Sequence, residues 1–225
     1  MRAWIDRGLL PCQPDRVPLD PHLLAAFTVT TIVATVAPGP DMLFVLSSVM
    51  RGGPRAGLLA TAGIATSEAI HVIVAAAGLS ALFTAVPEAF TALRIAGAVY
   101  LAYLGIQMIR QRGDLVAAAG DGAPISGRRA YLTGFLTNLS NPKMIAFSVA
   151  FLPQFVDPAL GSVWAQFAVL GMILILLEFL IDGGVGVFAG RIGTWLRHRH
   201  TLRRCADTAT GSILIALGLR LAVEP

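Results

Sequence analysis

Residues 32–50 read "IVATVAPGPDMLFVLSSVM". The run is apolar enough for the interior of a helix, yet Pro38, Gly39, Pro40 and Asp41 interrupt it. A proline inside a helix removes a backbone donor and clashes with the preceding turn. In hydrocarbon the freed carbonyls cost several kcal/mol unless something else satisfies them. Whether this stretch is a loop of a soluble domain or a broken membrane helix decides the fold.

Composition settles that choice. Of 225 residues, 56% are hydrophobic and 13% charged, with a mean hydropathy of +0.73; a soluble domain carries roughly 25% charge. About 20 mostly apolar residues cross the hydrocarbon, and such runs occur at 22–50, 56–83, 87–109, 131–154, 162–188 and 205–222. The expected class is an all-α integral membrane protein of six transmembrane helices. Residues 1–21 read as a disordered tail or as the product of a start codon placed too early, because Pro11, Pro14 and Pro18 break them and no apolar core of signal-peptide length is present. Cys12 and Cys205 form no CxxC pair and no metal-ligand spacing, which argues against thiol redox chemistry and thiolate metal sites.

The charge of +4 does not mark a nucleic-acid binder, since the arginines gather in particular loops. Arg51 and Arg55 follow helix one; Arg110, Arg112, Arg128 and Arg129 follow helix three; Arg191, Arg197, Arg199, Arg203 and Arg204 follow helix five. The opposite loops carry Glu88 and Asp157. Excess Lys and Arg hold short loops in the cytoplasm, so both termini are expected outside it.

Helix four repeats the interruption. "GFLTNLSNPKMIAFSVAFLP" (134–153) sets Asn138, Asn141, Pro142 and Lys143 near mid-span, where helix one has Gly39, Pro40 and Asp41. "AGAVYLAYLGIQMIR" in helix three and "TGSILIALGLRLAV" in helix six share a Gly near the start and a later Leu-Gly. Three spans per half make the second copy enter from the other side, an inverted 3+3 repeat: residues 22–110, a cytoplasmic loop at 111–130, then 131–225. Discontinuous helices at such an interface expose peptide dipoles and carbonyls to a solute; ordinary proline kinks are the plainer alternative.

Asp41, Glu68, His71, Arg94, Lys143, Glu178 and Asp182 fall within the spans. A central charge costs roughly 2.5–3.5 kcal/mol on insertion scales, so seven unpaired ones would exceed a typical stability of about 5–15 kcal/mol. They must face one another or water, or be neutral. Asp41 and Lys143 occupy equivalent places with opposite signs, which fits either the two ends of a zwitterion or a structural ion pair. Glu68 with His71, and Glu178 with Asp182, each share a helix face; Glu68, Glu178 and Asp182 are the candidates for carrying a proton, while His71 fits a hydrogen bond to neighbouring backbone. Arg94 has the length to snorkel to the interface. The small-residue stripes of helices two and three predict close helix packing.

"APGPDMLFVL", "LRIAGAVYLAYLGIQMIR" and "GFLTNLSNPKMIAFSVAFLPQFV" together resemble the LysE/RhtB-type amino-acid exporters, lysine exporters and homoserine-threonine efflux translocators, over about residues 22–222. The resemblance implies a six-helix permease of the bacterial inner membrane, a homodimer that exports amino acids or close derivatives at the expense of the proton gradient; no cofactor is expected. It carries a substrate-binding role onto Pro38, Gly39, Pro40 and Asp41 and onto Asn138, Asn141, Pro142 and Lys143. The alternative is efflux of metal ions or other small cations, although the carboxylates and His71 lack a recognised metal spacing. An enzyme would want a CxxC, an HExxH helix or a nucleophile beside a base, and none is present in the sequence.

Overall fold

The computed structural model describes residues 19–36, 39–85, 87–110, 123–188 and 200–223, and these are helical with no strand. Pro38, the tail to residue 18 and the basic segments at 111–122 and 189–199 lie outside the described residues, as do the side chains of Arg94, Arg203 and Arg204. The order is α1 (Pro21–Val36), α2 (Pro40–Ala85), α3 (Pro87–Arg110), α4 (Gly127–Leu139), α5 (Pro142–Ala146), a π turn (Phe147–Phe151), two short 3-10 turns (Leu152–Phe155 and Pro158–Leu160), α6 (Val163–Val187) and α7 (His200–Val223).

Local chemistry sets the helix starts. α1, α2, α3 and α5 each begin on a proline, whose missing N–H falls among donors left over at a helix start in any case. Ser126, Asn141 and Ser162 are in extended conformation before α4, α5 and α6, and each side chain accepts from a backbone N–H of the first turn, the usual capping arrangement.

A straight helix from Pro40 to Ala85 would be about 69 Å long at 1.5 Å per residue, more than twice the hydrocarbon thickness. α2 avoids this at Gly53, whose φ of 75° and ψ of −178° suit only a residue without Cβ. The chain folds back there: Gly57 lies against the side chain of Val49 and 3.8 Å from the Val45 carbonyl when a Cβ is built on it, and Val45 shares a buried cluster with Ala56, Ala60 and Ile64. The result is a first arm, 40–52, and a second, 54–85.

Among the described residues, Pro40–Gly78 and Val163–Val187 are long and apolar enough to pass for membrane spans by length and composition, and Pro21–Val36 is a shorter apolar helix. The six spans expected from the sequence are met only in part: α1 ends at Val36 before α2 starts on Pro40, α4 ends at Leu139 before α5 starts on Pro142, and α7 begins with the polar run "HTLRRCADT".

Helix packing follows the small residues. α2 runs along α4 and α6, and α3 along α7. A Cβ on Gly63 would collide with the Tyr131 carbonyl, and one on Gly134 with the Ala60 carbonyl, so these antiparallel helices touch backbone to backbone. Between α3 and α7, a Cβ on Gly105 would strike the Gly211 carbonyl, one on Gly211 the Gly105 carbonyl, and one on Gly218 the Ala98 carbonyl. Phe27 of α1 packs with Phe151 and Phe155 at ring separations of 5.8 and 5.2 Å, closing the end of the bundle where α1 starts.

Candidate functional site

The two breaks meet. Asp41, in the first turn of α2, is buried, and its Oδ2 accepts from Asn141 Nδ2 at 2.5 Å and from Asn138 Nδ2 at 3.3 Å. Asn138 closes α4, and Asn141 caps α5 by accepting from the Lys143 N–H at 3.0 Å. One amide thus starts a helix with its oxygen and holds the opposite carboxylate with its nitrogen. Charge-assisted hydrogen bonds of this kind are stronger than neutral ones.

Lys143 reaches the other way. Its Nζ donates to the Ala34 carbonyl at 2.7 Å, in the last turn of α1, where carbonyls lack helical partners and a cation is favoured by the helix dipole. Gly39 lies beside the same ammonium: a Cβ there would sit 3.8 Å from Nζ. Asp41 and Lys143 feel each other's charge. The sequence placed Gly39, Pro40, Asp41, Asn138, Asn141, Pro142 and Lys143 at two corresponding breaks, and the structure gathers them at one locus.

A narrow cavity with room for about one water lies there, lined on its polar side by Asp41, Asn141, Lys143, Glu178 and Asp182. Glu178 and Asp182 project from α6 and are 3% and 2% exposed. Met42, Phe147 and Leu174 supply an apolar wall. One cation, three carboxyls and an apolar surface meet in one recess, groups that complement a small solute carrying both charges and a hydrocarbon side chain, although the recess as it stands is too narrow to enclose one. One oxygen each of Asp41 (Oδ1) and Glu178 (Oε2) has no hydrogen-bond partner, an expensive state for buried polar atoms unless something occupies the site.

Glu68, the third proposed proton carrier, does not line this cavity. It is fully buried on the second arm of α2, where Ser148 Oγ donates to Oε1 at 2.7 Å and His71 Nδ1 lies 3.6 Å from Oε2. Sequence reasoning missed Ser148 and the Ala34 carbonyl. The first had a signal, a hydroxyl in the apolar run "AFSVAFLP"; the second had none, since every residue has a carbonyl. Among the described residues no three His, Cys, Asp or Glu side chains are placed so as to hold a metal ion together.

Comparison with known proteins gives a consistent picture. The family model described as LysE type translocator matches residues 32–225. The chain is 32% identical over 204 residues, 91% of it and 98% of the relative, to a protein of Vibrio cholerae named only as an uncharacterized membrane protein. It is 31% identical over 199 residues to the homoserine/homoserine lactone efflux protein of Salmonella typhimurium, covering 88% of this chain and 94% of that one. A leucine efflux protein of an Enterobacter species is 29% identical over 202 residues, 87% and 93% of the two chains. No solved structure matches the chain.

Proposed function

The chain belongs to the LysE-type translocator family, and from that premise we propose that it is a secondary exporter of small amino acids or their close derivatives across the bacterial inner membrane, coupled to protons. The observation that carries the reading is the recess where the two broken helices meet. Lys143 faces the side where a carboxylate of the solute would sit, and Asp41, Glu178 and Asp182 offer negative charge to its amino group. Homoserine, its lactone and leucine, the solutes in the relatives' names, each carry the α-amino group that these carboxyls would recognise. The Met42, Phe147 and Leu174 wall suits an aliphatic side chain such as leucine's.

The architecture proposed for this function is a six-span inverted repeat. It is supported by the α3/α7 seam: if Gly105 corresponds to Gly218 and Ala98 to Gly211, the Gly105–Gly211 contact maps onto the Gly218–Ala98 contact. That is the relation a pseudo-twofold axis in the membrane plane produces. Two discontinuous helices related by this axis bring their ends to the midplane, where a solute is reached alternately from each side.

The test is efflux from preloaded proteoliposomes, with and without a pH gradient, using leucine, homoserine, threonine, lysine and cysteine. Wild-type protein is expected to release leucine or homoserine faster under the gradient, and Asp41→Asn to lose at least about 90% of that rate, the scale of one charge-assisted contact worth roughly 1.5–3 kcal/mol. Full activity in a well-inserted Asp41→Asn would move the site elsewhere. Release of none of the five by wild-type protein would overturn the proposed substrate class.

A further inference from the structure

Among the titratable groups placed in the spans, two sit apart from the recess. Glu68 and His71 lie three residues apart on the second arm of α2, and neither lines the cavity. The Glu68 carboxyl is 0% exposed and held from the far side by Ser148, also 0% exposed. Its second oxygen, Oε2, points at His71 Nδ1 across 3.6 Å, and neither atom has a hydrogen-bond partner. Two facing polar atoms left open in a buried site are costly; the gap is what one shared proton, or one water carrying it, closes.

The Ser148 contact is built, not incidental. Ser148 belongs to the π turn Phe147–Phe151, in which the Leu152 N–H reaches back to the Phe147 carbonyl. Pro153 follows, and lacking an N–H it cannot continue the α-helical ladder from Val149. Such π turns re-aim side chains and gather at functional sites. Here the turn delivers a hydroxyl to a carboxylate on another helix.

His71 supplies the way in. Its side chain is 12% exposed while Glu68 is sealed, and the backbone of Leu139, where α4 ends at the second break, reaches the imidazole. The charge of Glu68 is felt by Asp41 at the start of α2 and by Glu178 on α6. Both line the cavity, so a charge change on Glu68 is felt in the recess although Glu68 does not touch it.

We infer that Glu68, with Ser148 holding one oxygen and His71 as its entry, is the site that takes up and releases the coupling proton, whereas Glu178 and Asp182 belong to the solute recess. A proton arrives at Nε2 of the partly exposed His71 and the Nδ1 proton passes to Glu68 Oε2; release runs in reverse, with no other bond made or broken. Protonation removes one negative charge beside Asp41 and Glu178, and so alters the recess for the solute's amino group. The assignment rests on the proposed proton-coupled export, and divides the three carboxyls between its two tasks.

Two measurements test it. The first needs no solute: infrared difference spectra of the purified protein across a pH titration. A protonated-carboxyl band is expected in wild-type protein, lost in Glu68→Gln and moved in Ser148→Ala. A band that survives Glu68→Gln unchanged overturns the inference without touching the proposed export. The second compares leucine and homoserine exchange, which needs no gradient, with gradient-driven accumulation in proteoliposomes. Glu68→Gln is expected to exchange at a reduced rate yet lose gradient-driven accumulation and solute-evoked proton movement at least tenfold, while Asp182→Asn loses both. Should Glu68→Gln misfold, Ser148→Ala, which deletes one hydroxyl, is expected to move the pH midpoint of accumulation by about one unit, the equivalent of one hydrogen bond to a charged acceptor. An unmoved midpoint, or gradient-driven accumulation retained in Glu68→Gln, overturns the assignment. Wild-type exchange with no response to the gradient would overturn the coupling itself, and the inference with it.

Discussion

Asp41 and Lys143 have opposite signs at corresponding places, and the structure gives them different partners. Asp41 is held by the side-chain amides of Asn138 and Asn141, whereas Lys143 holds a backbone carbonyl, that of Ala34. The two charges therefore do unequal structural work. Asp41 can become Asn and still fill its place. Removing the Lys143 ammonium leaves the end of α1 without the cation that answers its carbonyls, and leaves three carboxyls in the recess with no opposing charge. Lys143→Met is expected to lower thermal stability by about 1.5–3 kcal/mol, the range for a hydrogen bond to a charged group, and to abolish efflux. Lys143→Arg is expected to restore stability only in part, because a planar guanidinium presents its donors in a fixed fork rather than at a point. Detergent-solubilised melting curves check the first expectation and proteoliposome efflux the second. A Lys143→Met protein that melts with wild type would reduce the Ala34 contact to a passing one.

The helices are held together by what their glycines lack. Where α2 meets α4, Gly63 and Gly134 each lie against a carbonyl of the other helix, so a methyl group at either has nowhere to go, whereas Gly184 on α6 has nothing within 4 Å. Gly63→Ala and Gly134→Ala are expected to destabilise by about 1–3 kcal/mol each through overpacking. Gly184→Ala, in open space within a helix, is expected to be neutral or to stabilise by up to about 1 kcal/mol. Melting followed by size-exclusion chromatography separates the three, and a Gly63→Ala protein as stable as wild type would mean that the helices slide apart easily. The stripe "GLLATAGIATSEA" announced this packing, because small residues at helical spacing have few other uses in a membrane. The breaks were legible for the same reason: Pro40 and Pro142, each flanked by polar residues, contradict an apolar helix. The hairpin at Gly53 was half legible, a boundary near residue 53 without its one-residue turn, since glycine permits a positive φ but does not require it. The π turn was not legible, because Pro153 forbids an α hydrogen bond without saying whether the chain answers with a bulge, a kink or an end.

Taken whole, the bundle sorts its charges by end. Arg51 Nε donates to the Ala123 carbonyl at 2.8 Å, and the Ile125 N–H donates to the Arg51 carbonyl at 3.3 Å. The turn at Gly53 and the segment before α4 are thereby strapped together, which sets Arg51, Arg55, Arg128 and Arg129 at one end. At the other end Leu19, Leu23 and Leu24 pack on the cluster that includes Phe155, with Val156 and Val163 beside it, next to the loop that carries Asp157. The start of α1 therefore lies opposite the arginines, an arrangement read from contacts and independent of the loop charges. By the excess of basic residues the arginine end is expected to be cytoplasmic, and the start of α1 to face outward. Single-cysteine proteins, with Cys12 and Cys205 changed to Ser, put this to the test through Ala159→Cys in the acidic loop and Arg128→Cys at the start of α4, both exposed positions. In intact cells a membrane-impermeant maleimide is expected to label position 159 and spare position 128 until the membrane is opened. Labelling of 128 alone would invert the molecule, and with it the direction in which the recess must load and release its solute. Equal labelling of both would mean that the strapped end and the aromatic end do not face opposite sides, and the alternating-access reading would fail with the topology.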